Sequence, residues 1–283
     1  MSLSKIIKYL IPAALSLSLS SAAIHAQENQ DKQYTFSVVP QQAASKLARS
    51  WGPIMKYIAK ETGYKVRFVT APNIPEFENR LAQGEYDFAY MNPYHYVVFS
   101  KAPGYRAMNK ARDKQIKGIL VKRKDNDKIT SLEDLKGQQM AFPSPAAFAA
   151  SILPRAELKR LNVDIQPKYV SSHDSVYRNV SQSIMVAGGG VKRTFNAFDT
   201  KQKEKLEIFW TSKGYTPHAI AAHPDIPDEV VSSIQQALVK MESSDSGKDM
   251  LKNLKIKGWQ QAIDSDWDDV RALQIPDLSK PVE

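Results

Sequence analysis

Three polar clusters carry most of the residue types that can hold or transform a small molecule. The first is YMNPYHY at positions 90–96, where Tyr90, Asn92, Tyr94, His95 and Tyr96 follow directly on an apolar run. A tyrosine offers an apolar ring face and a hydroxyl, and Asn92 can donate and accept at once. Packing at the start of a helix is the structural alternative for these aromatics. The second cluster, FPSPAAFAAS at 142–151, leaves a strand and enters a helix. Backbone amides at such a start can hold an oxyanion. Ser144 adds a hydroxyl there or caps the helix, Ala146 and Ala147 leave room, and Phe148 offers an aromatic wall. The third cluster is SSHDSVYRNV at 171–180, with Ser172, His173, Asp174 and Tyr177. A neutral His173 can donate to an oxyanion, while Ser172 or Asp174 can cap a helix.

Catalysis is not advertised by these clusters. The chain carries no HExxH and no G-x-S-x-G, and Ser172, His173 and Asp174 are sequence neighbours, whereas catalytic triads are assembled from distant segments. Two dispersed histidines, His95 and His173, do not specify a metal site. Gly188–Gly190 lack the spacing of a phosphate-binding loop and read as a tight turn or a close backbone approach. No enzyme activity and no cofactor are expected.

The elements around the clusters follow an α/β pattern. YTFSVV (34–39), KVRFVTA (65–71) and YDFAYM (86–91) read as strands, with Tyr86 and Phe88 in the core. A helix with Leu47, Trp51, Met55 and Ile58 near helical spacing separates the first two, kinked or restarted at Pro53 and stopped by Gly63. A second helix over 74–84 separates the next two. Further strands are expected at 117–123, 140–142, 165–170 and 206–215, with a strand before the three glycines and helices toward the C-terminus. The reading is two α/β halves crossed twice by the chain, a first lobe over 27–118 and 213–283 and a second over 119–212. Such an arrangement makes a hinged interdomain cleft, with ligands favoured at the carboxyl ends of the strands.

Export is expected. Lys5 and Lys8 precede a short apolar and small-residue stretch that ends at Ala26, the layout of a signal peptide over residues 1–26, and the periplasm is the expected destination. Cysteine is absent, so disulfides, thiolate metal sites and a lipid anchor at the cleavage region are excluded. The chain holds 39 Lys and Arg against 30 Asp and Glu, a formal charge of +9, which falls by two when Lys5 and Lys8 are removed. Positive fields favour encounter with anions. The basic residues are scattered among acids without a sustained basic and aromatic stripe, so no nucleic-acid partner is expected.

On ARSWGPIMKYIAKETG, LAQGEYDFAYMNPYHYV, SLEDLKGQQMAF, SILPRAEL and SSHDSVYRNV, the sequence resembles the periplasmic phosphate, phosphite and phosphonate binding proteins of ABC uptake systems. The resemblance covers nearly all of the chain after residue 26. It implies the two-lobed type 2 periplasmic binding fold, capture of a small organic solute or oxyanion, and delivery to an ABC permease or, alternatively, partnership with a membrane sensor kinase. It also implies that His173 matches a ligand-site histidine and that Tyr90 or Tyr94 lies in the matching aromatic segment. Such proteins place a hydroxyl-rich stretch after the first strand of the second lobe, where this chain keeps Ser144 but has Ala146, Ala147 and Phe148. A further acidic ligand contact falls in VAGGGVKRTF, which has no Asp or Glu. Simple phosphonates, phosphite and phosphate are therefore expected to bind poorly, and a larger or less charged organic solute is expected in the alanine-lined space.

Overall fold

The computed structural model describes residues 32–273, so the proposed signal peptide lies outside the described residues. The first lobe opens with β1 (Gln33–Val38), α1 (Ala44–Thr62), β2 (Lys65–Val69), α2 (Ile74–Ala82), β3 (Phe88–Met91), α3 (Pro93–Phe99) and β4 (Arg106–Ala111). The chain then crosses to β5 (Gly118–Arg123), β6 (Gln139–Phe142), α4 (Leu153–Arg160), β7 (Gln166–Tyr169), α5 (His173–Ser181), β8 (Ala187–Val191), α6 (Lys192–Asn196), α7 (Thr200–Lys203) and β9 (Leu206–Thr211). It returns to the first lobe with β10 (Ala219–Ala222), α8 (Asp228–Lys240), α9 (Asp245–Asn253), β11 (Trp259–Gln261) and α10 (Asp268–Arg271).

Two sheets result, one of six strands in the order β11-β4-β10-β3-β1-β2 and one of five in the order β7-β6-β8-β5-β9. The β1, β2 and β3 strands pair in parallel, and β10 lies antiparallel between β3 and β4. The two crossings are tied to each other where Ile116 and Tyr215 exchange backbone hydrogen bonds of 2.9 and 3.0 Å. That pair is a short double-stranded hinge. The return crossing is anchored to the first lobe. Trp267 Nε1 donates to Pro217 O at 2.9 Å, and the amide of Thr216 donates to Asp269 Oδ2 at 2.7 Å. Among the described residues, no helix is long and apolar enough to cross a membrane.

Two local expectations are corrected. Pro53 does not interrupt α1, which runs unbroken from Ala44 to Thr62. Pro53 and Arg49 sit on the exposed face, where water can satisfy the carbonyl that loses its amide partner. Of the two readings of Gly188–Gly190, the turn is corrected and the close backbone approach holds; they lie in the central strand β8, paired with β5 and β6. A Cβ on Gly189 would lie 1.8 Å from Ala150 O, one on Gly190 2.1 Å from the Tyr177 hydroxyl, and one on Gly188 2.5 Å from Val176 Cγ1. Helices on both faces press so closely that only glycine fits at these three positions.

Gly189→Ala should therefore cost about 3 kcal/mol or more in urea unfolding, as overpacking against backbone does. Gly52→Ala, inside α1 with open space around its Cβ position, should instead gain about 0.5–1 kcal/mol. Equal tolerance at the two positions would contradict the packing described.

Candidate ligand-binding cleft

On the first-lobe side, β3 delivers Tyr90 to the cleft and Asn92 caps α3. The Asn92 Oδ1 accepts from the His95 amide at 2.8 Å. Its Nδ2 lies 2.9 Å from His95 Nε2 and donates across the cleft to Ala146 O at 3.1 Å. His95 Nε2 is also 2.9 Å from Glu78 Oε1. Tyr94 faces a side cavity of about 240 Å³ that it shares with Glu78, His95, Phe99 and Ala146. The YMNPYHY cluster is thus divided, with Tyr90 on the hinge side, Asn92 at the lobe junction, and Tyr94 at the flank.

On the second-lobe side, the chain leaves β6 through Ser144 and enters a π-helical turn over Phe148–Ile152 before α4. The turn's N-cap, Ala147, makes no side-chain capping bond. Ser144 does not cap it either. Its Oγ is buried without a partner among the described residues. The carbonyls of the turn sink onto the bare strands below, so that a Cβ on Gly118 would lie 2.1 Å from Ala149 O. This seating carries Phe148 inward, where its ring meets Tyr215 edge-on, with centroids 5.5 Å apart at 87°. Phe148, Ala146, Ala149, Ile152 and Leu153 join the same apolar cluster as the first-lobe core.

The expected alanine-lined room is therefore corrected at Ala147, while Ala146 borders the side cavity of Tyr94. A gap of about 10 Å³ remains among Gln41, Asn92, Ala147, Phe148 and His173, no more than a single water needs. Small side chains at 146 and 147 let the α3 end approach until Asn92 reaches a backbone carbonyl. They bring the lobes together.

The third cluster also separates. Ser172 caps α5 by accepting from the Ser175 amide at 3.1 Å. Asp174 turns toward Lys46, with Nζ 3.7 Å from Oδ2. His173 points inward, its Nδ1 3.1 Å from Thr194 Oγ1, and that hydroxyl is 2.7 Å from the hydroxyl of Tyr177. Tyr177 further donates to Val191 O at 3.2 Å, so its hydroxyl is consumed inside the second lobe rather than offered to the cleft. Burial, then the nearby charge of Arg193, pushes the His173 pKa down to about 3, leaving a neutral imidazole. Ser172, His173 and Asp174 diverge and form no triad.

Residues not singled out in the sequence complete the junction. Arg193, at the start of α6, donates through Nη2 to Gln41 Oε1 at 2.5 Å, and Gln41 Nε2 lies 3.0 Å from His218 Nε2. The His218 ring stacks on Tyr90, with centroids 4.9 Å apart at 17°. Burial, and after it Arg193, hold the His218 pKa well below its ordinary value. Lys46 donates to Ala197 O at 3.3 Å, adding another bond between the lobes. A Pro-Gln-Gln after β1 and a Pro-His after the hinge gave little sign of this, because neither is a dense polar cluster. The acidic run after β11 is structural: Asp266 pairs with Lys110, while Asp264 and Asp268 pair with Arg271.

With this geometry in view, residues 36–267 match the family described as the ABC transporter, phosphonate, periplasmic substrate-binding protein. The chain belongs to that phosphonate-binding family. The phosphate-import protein PhnD of Mycolicibacterium smegmatis is 24% identical over 240 residues, spanning 71% of this chain and 69% of that protein. Two solved structures share the fold. One is a binding protein component of an ABC phosphonate transporter from Pseudomonas aeruginosa, with a TM-score of 0.79, 17% identity, and 86% and 85% of the two chains covered. The other is PhnD1 from Prochlorococcus marinus in complex with methylphosphonate, with a TM-score of 0.77, 17% identity, and 86% and 97% covered. Phosphonate-binding family members are solute-binding transport proteins, and membership favours uptake over partnership with a sensor kinase.

Neutral, buried His173 makes stability depend on pH with a definite sign. Unfolding frees it to bind a proton at pH values below its ordinary 6.5 that the folded protein refuses until about 3. Between those limits the unfolded state holds more protons, so stability falls as pH falls, by on the order of 1 kcal/mol per pH unit for a single group. Urea unfolding of His173→Gln should show a shallower decline over pH 6.5–4 than the parent. Identical slopes would contradict a neutral His173.

Proposed function

We propose that this chain serves in the periplasm as the solute-binding subunit of an ABC uptake system, works with a membrane permease, carries out no reaction itself, and does not use simple phosphonate, phosphite or phosphate as its solute. One observation carries the last part of the reading. The segment where the resemblance places an oxyanion clasp supplies Ala146, Ala147 and Phe148, and Phe148 is buried between the lobes against Tyr215. A small oxyanion there would meet no side-chain hydroxyl from 146–148. It would have to separate Asn92 from Ala146 O and displace an aromatic ring. Desolvation of a doubly charged anion without matched donors is unfavourable by several kcal/mol.

The residues named from sequence take different parts in this reading. Asn92, Ala146, Ala147 and Phe148 form the surface on which the lobes meet. Ser172, His173 and Tyr177 brace the second lobe behind it, with Ser144 buried at its edge. Tyr94 lies at the flank, and Tyr90 is the member of the set that borders solute-sized space on the hinge side. The domain organisation supports hinge motion. Both crossings run side by side, and the lobes meet through the Phe148 contact and the hydrogen bonds of Asn92, Arg193 and Lys46.

Isothermal titration of the protein purified from the periplasm with methylphosphonate and with inorganic phosphate should give dissociation constants no tighter than about 1 mM, equivalent to about −4 kcal/mol. A micromolar constant for either would overturn the specificity reading. Native mass spectrometry of the same preparation should detect a bound organic solute.

A further inference from the structure

A second cavity opens in the cleft on the hinge side of the Phe148 contact. Its volume is about 320 Å³, room for roughly ten waters. Both lobes and the first crossing bound it. Tyr90 and Trp259 supply aromatic walls from the first lobe, and Ile116 and Val191 add aliphatic surface from the crossing and from the end of β8. The charged lining is of one sign. Lys114 and Lys117 enter from the crossing, Lys192 and Arg193 from the start of α6, and Lys255 from the loop after α9, and among the described residues no carboxylate borders the space.

This excess is local rather than a reflection of a basic chain. Just before the crossing, Lys110 is paired with Asp266 at 2.7 Å and Arg112 with Glu242 at 2.5 Å. None of the five cations at the cavity has an acidic partner within ion-pairing distance among the described residues. Lys114 instead donates to the carbonyl of Lys255 at 2.6 Å. Burial and then the charges of Arg193 and Lys255 bring its pKa down to about 8, the response of a buried ammonium with like charge beside it. Arg193 belongs to the second lobe and Lys255 to the first, so an anion between them would hold the lobes together.

We propose that this cavity is the solute site, and that it takes an organic anion combining a doubly charged oxyanion, such as a phosphate ester, with a flat apolar body. The oxyanion offsets part of the charge of the lysines and Arg193; the apolar body lies against Tyr90, Trp259 and Ile116. The inference rests on the reading of the chain as a solute-binding subunit and names its ligand class. An aminoalkyl phosphonate fits poorly, because its ammonium would enter a ring of cations with no carboxylate to receive it.

Phenyl phosphate is a suitable probe, followed by calorimetry and by tryptophan fluorescence, since Trp259 lines the cavity. Binding should be at least tenfold tighter than that of methylphosphonate, should change the fluorescence, and should weaken at least about tenfold in the double variant Lys114→Gln/Lys192→Gln. The double variant Lys114→Arg/Lys192→Arg should retain it, which separates loss of charge from loss of fold. Failure of phenyl phosphate to bind, or equal binding by the glutamine variant, overturns the inference. In that event a different solute found by native mass spectrometry leaves the subunit reading standing, and a protein that carries no solute removes support from both.

Discussion

The seating of Phe148 organises the cleft. Its position is set from below, because the π-helical turn that carries it can sink only where the strands beneath it carry glycine. Gly118 in β5 and Gly189 in β8 supply that floor, with Ala149 O and Ala150 O resting where their Cβ atoms would be. Once the turn is down, the ring faces Tyr215 on the return crossing, and the apolar core of the first lobe continues into the second. Burying an aromatic ring contributes roughly 1.5–3 kcal/mol relative to exposing it, more than the net contribution of a typical neutral hydrogen bond. Contacts of Asn92 with Ala146 O and of Lys46 with Ala197 O refine a closure that the apolar contact already favours.

Arg193 is the electrostatic counterpart. It joins the lobes through Gln41, and its charge adds to burial in depressing His173, His218 and Lys114. Two histidines are thereby kept neutral at the junction. The cation itself lies at the border of the hinge-side cavity, where no carboxylate among the described residues offsets it. The same side chain thus separates a neutral, packed zone around Phe148 from a cationic, open zone beside the hinge. An oxyanion is disfavoured in the first and favoured in the second.

Much of this fold was legible because its signals are local. Apolar runs of strand length, helix spacing through Leu47, Trp51, Met55 and Ile58, and the Ser172 cap appear in the structure within a few residues of their expected places. Long-range constraints were not legible. The glycines of β8 look like a turn until the helices packed on both faces are known, and Ala146 and Ala147 look like room until Asn92 is seen to use it. The strands β4, β10 and β11 were missed because each depends on antiparallel partners far away in sequence. The cationic cluster escaped notice for a similar reason. Its five members come from three separated segments, each unremarkable in a chain with 39 basic residues, and only the fold reveals that their acidic neighbours point elsewhere.

Solute held beside the hinge, and not at the end of β6, is what separates this cleft from an oxyanion clasp. A crystal structure of the protein grown with phenyl phosphate tests this most directly. The phosphate group should lie among Lys114, Lys192, Arg193 and Lys255, with Phe148 still against Tyr215. Density for the phosphate between Ala147 and His173, with Phe148 displaced, would contradict it.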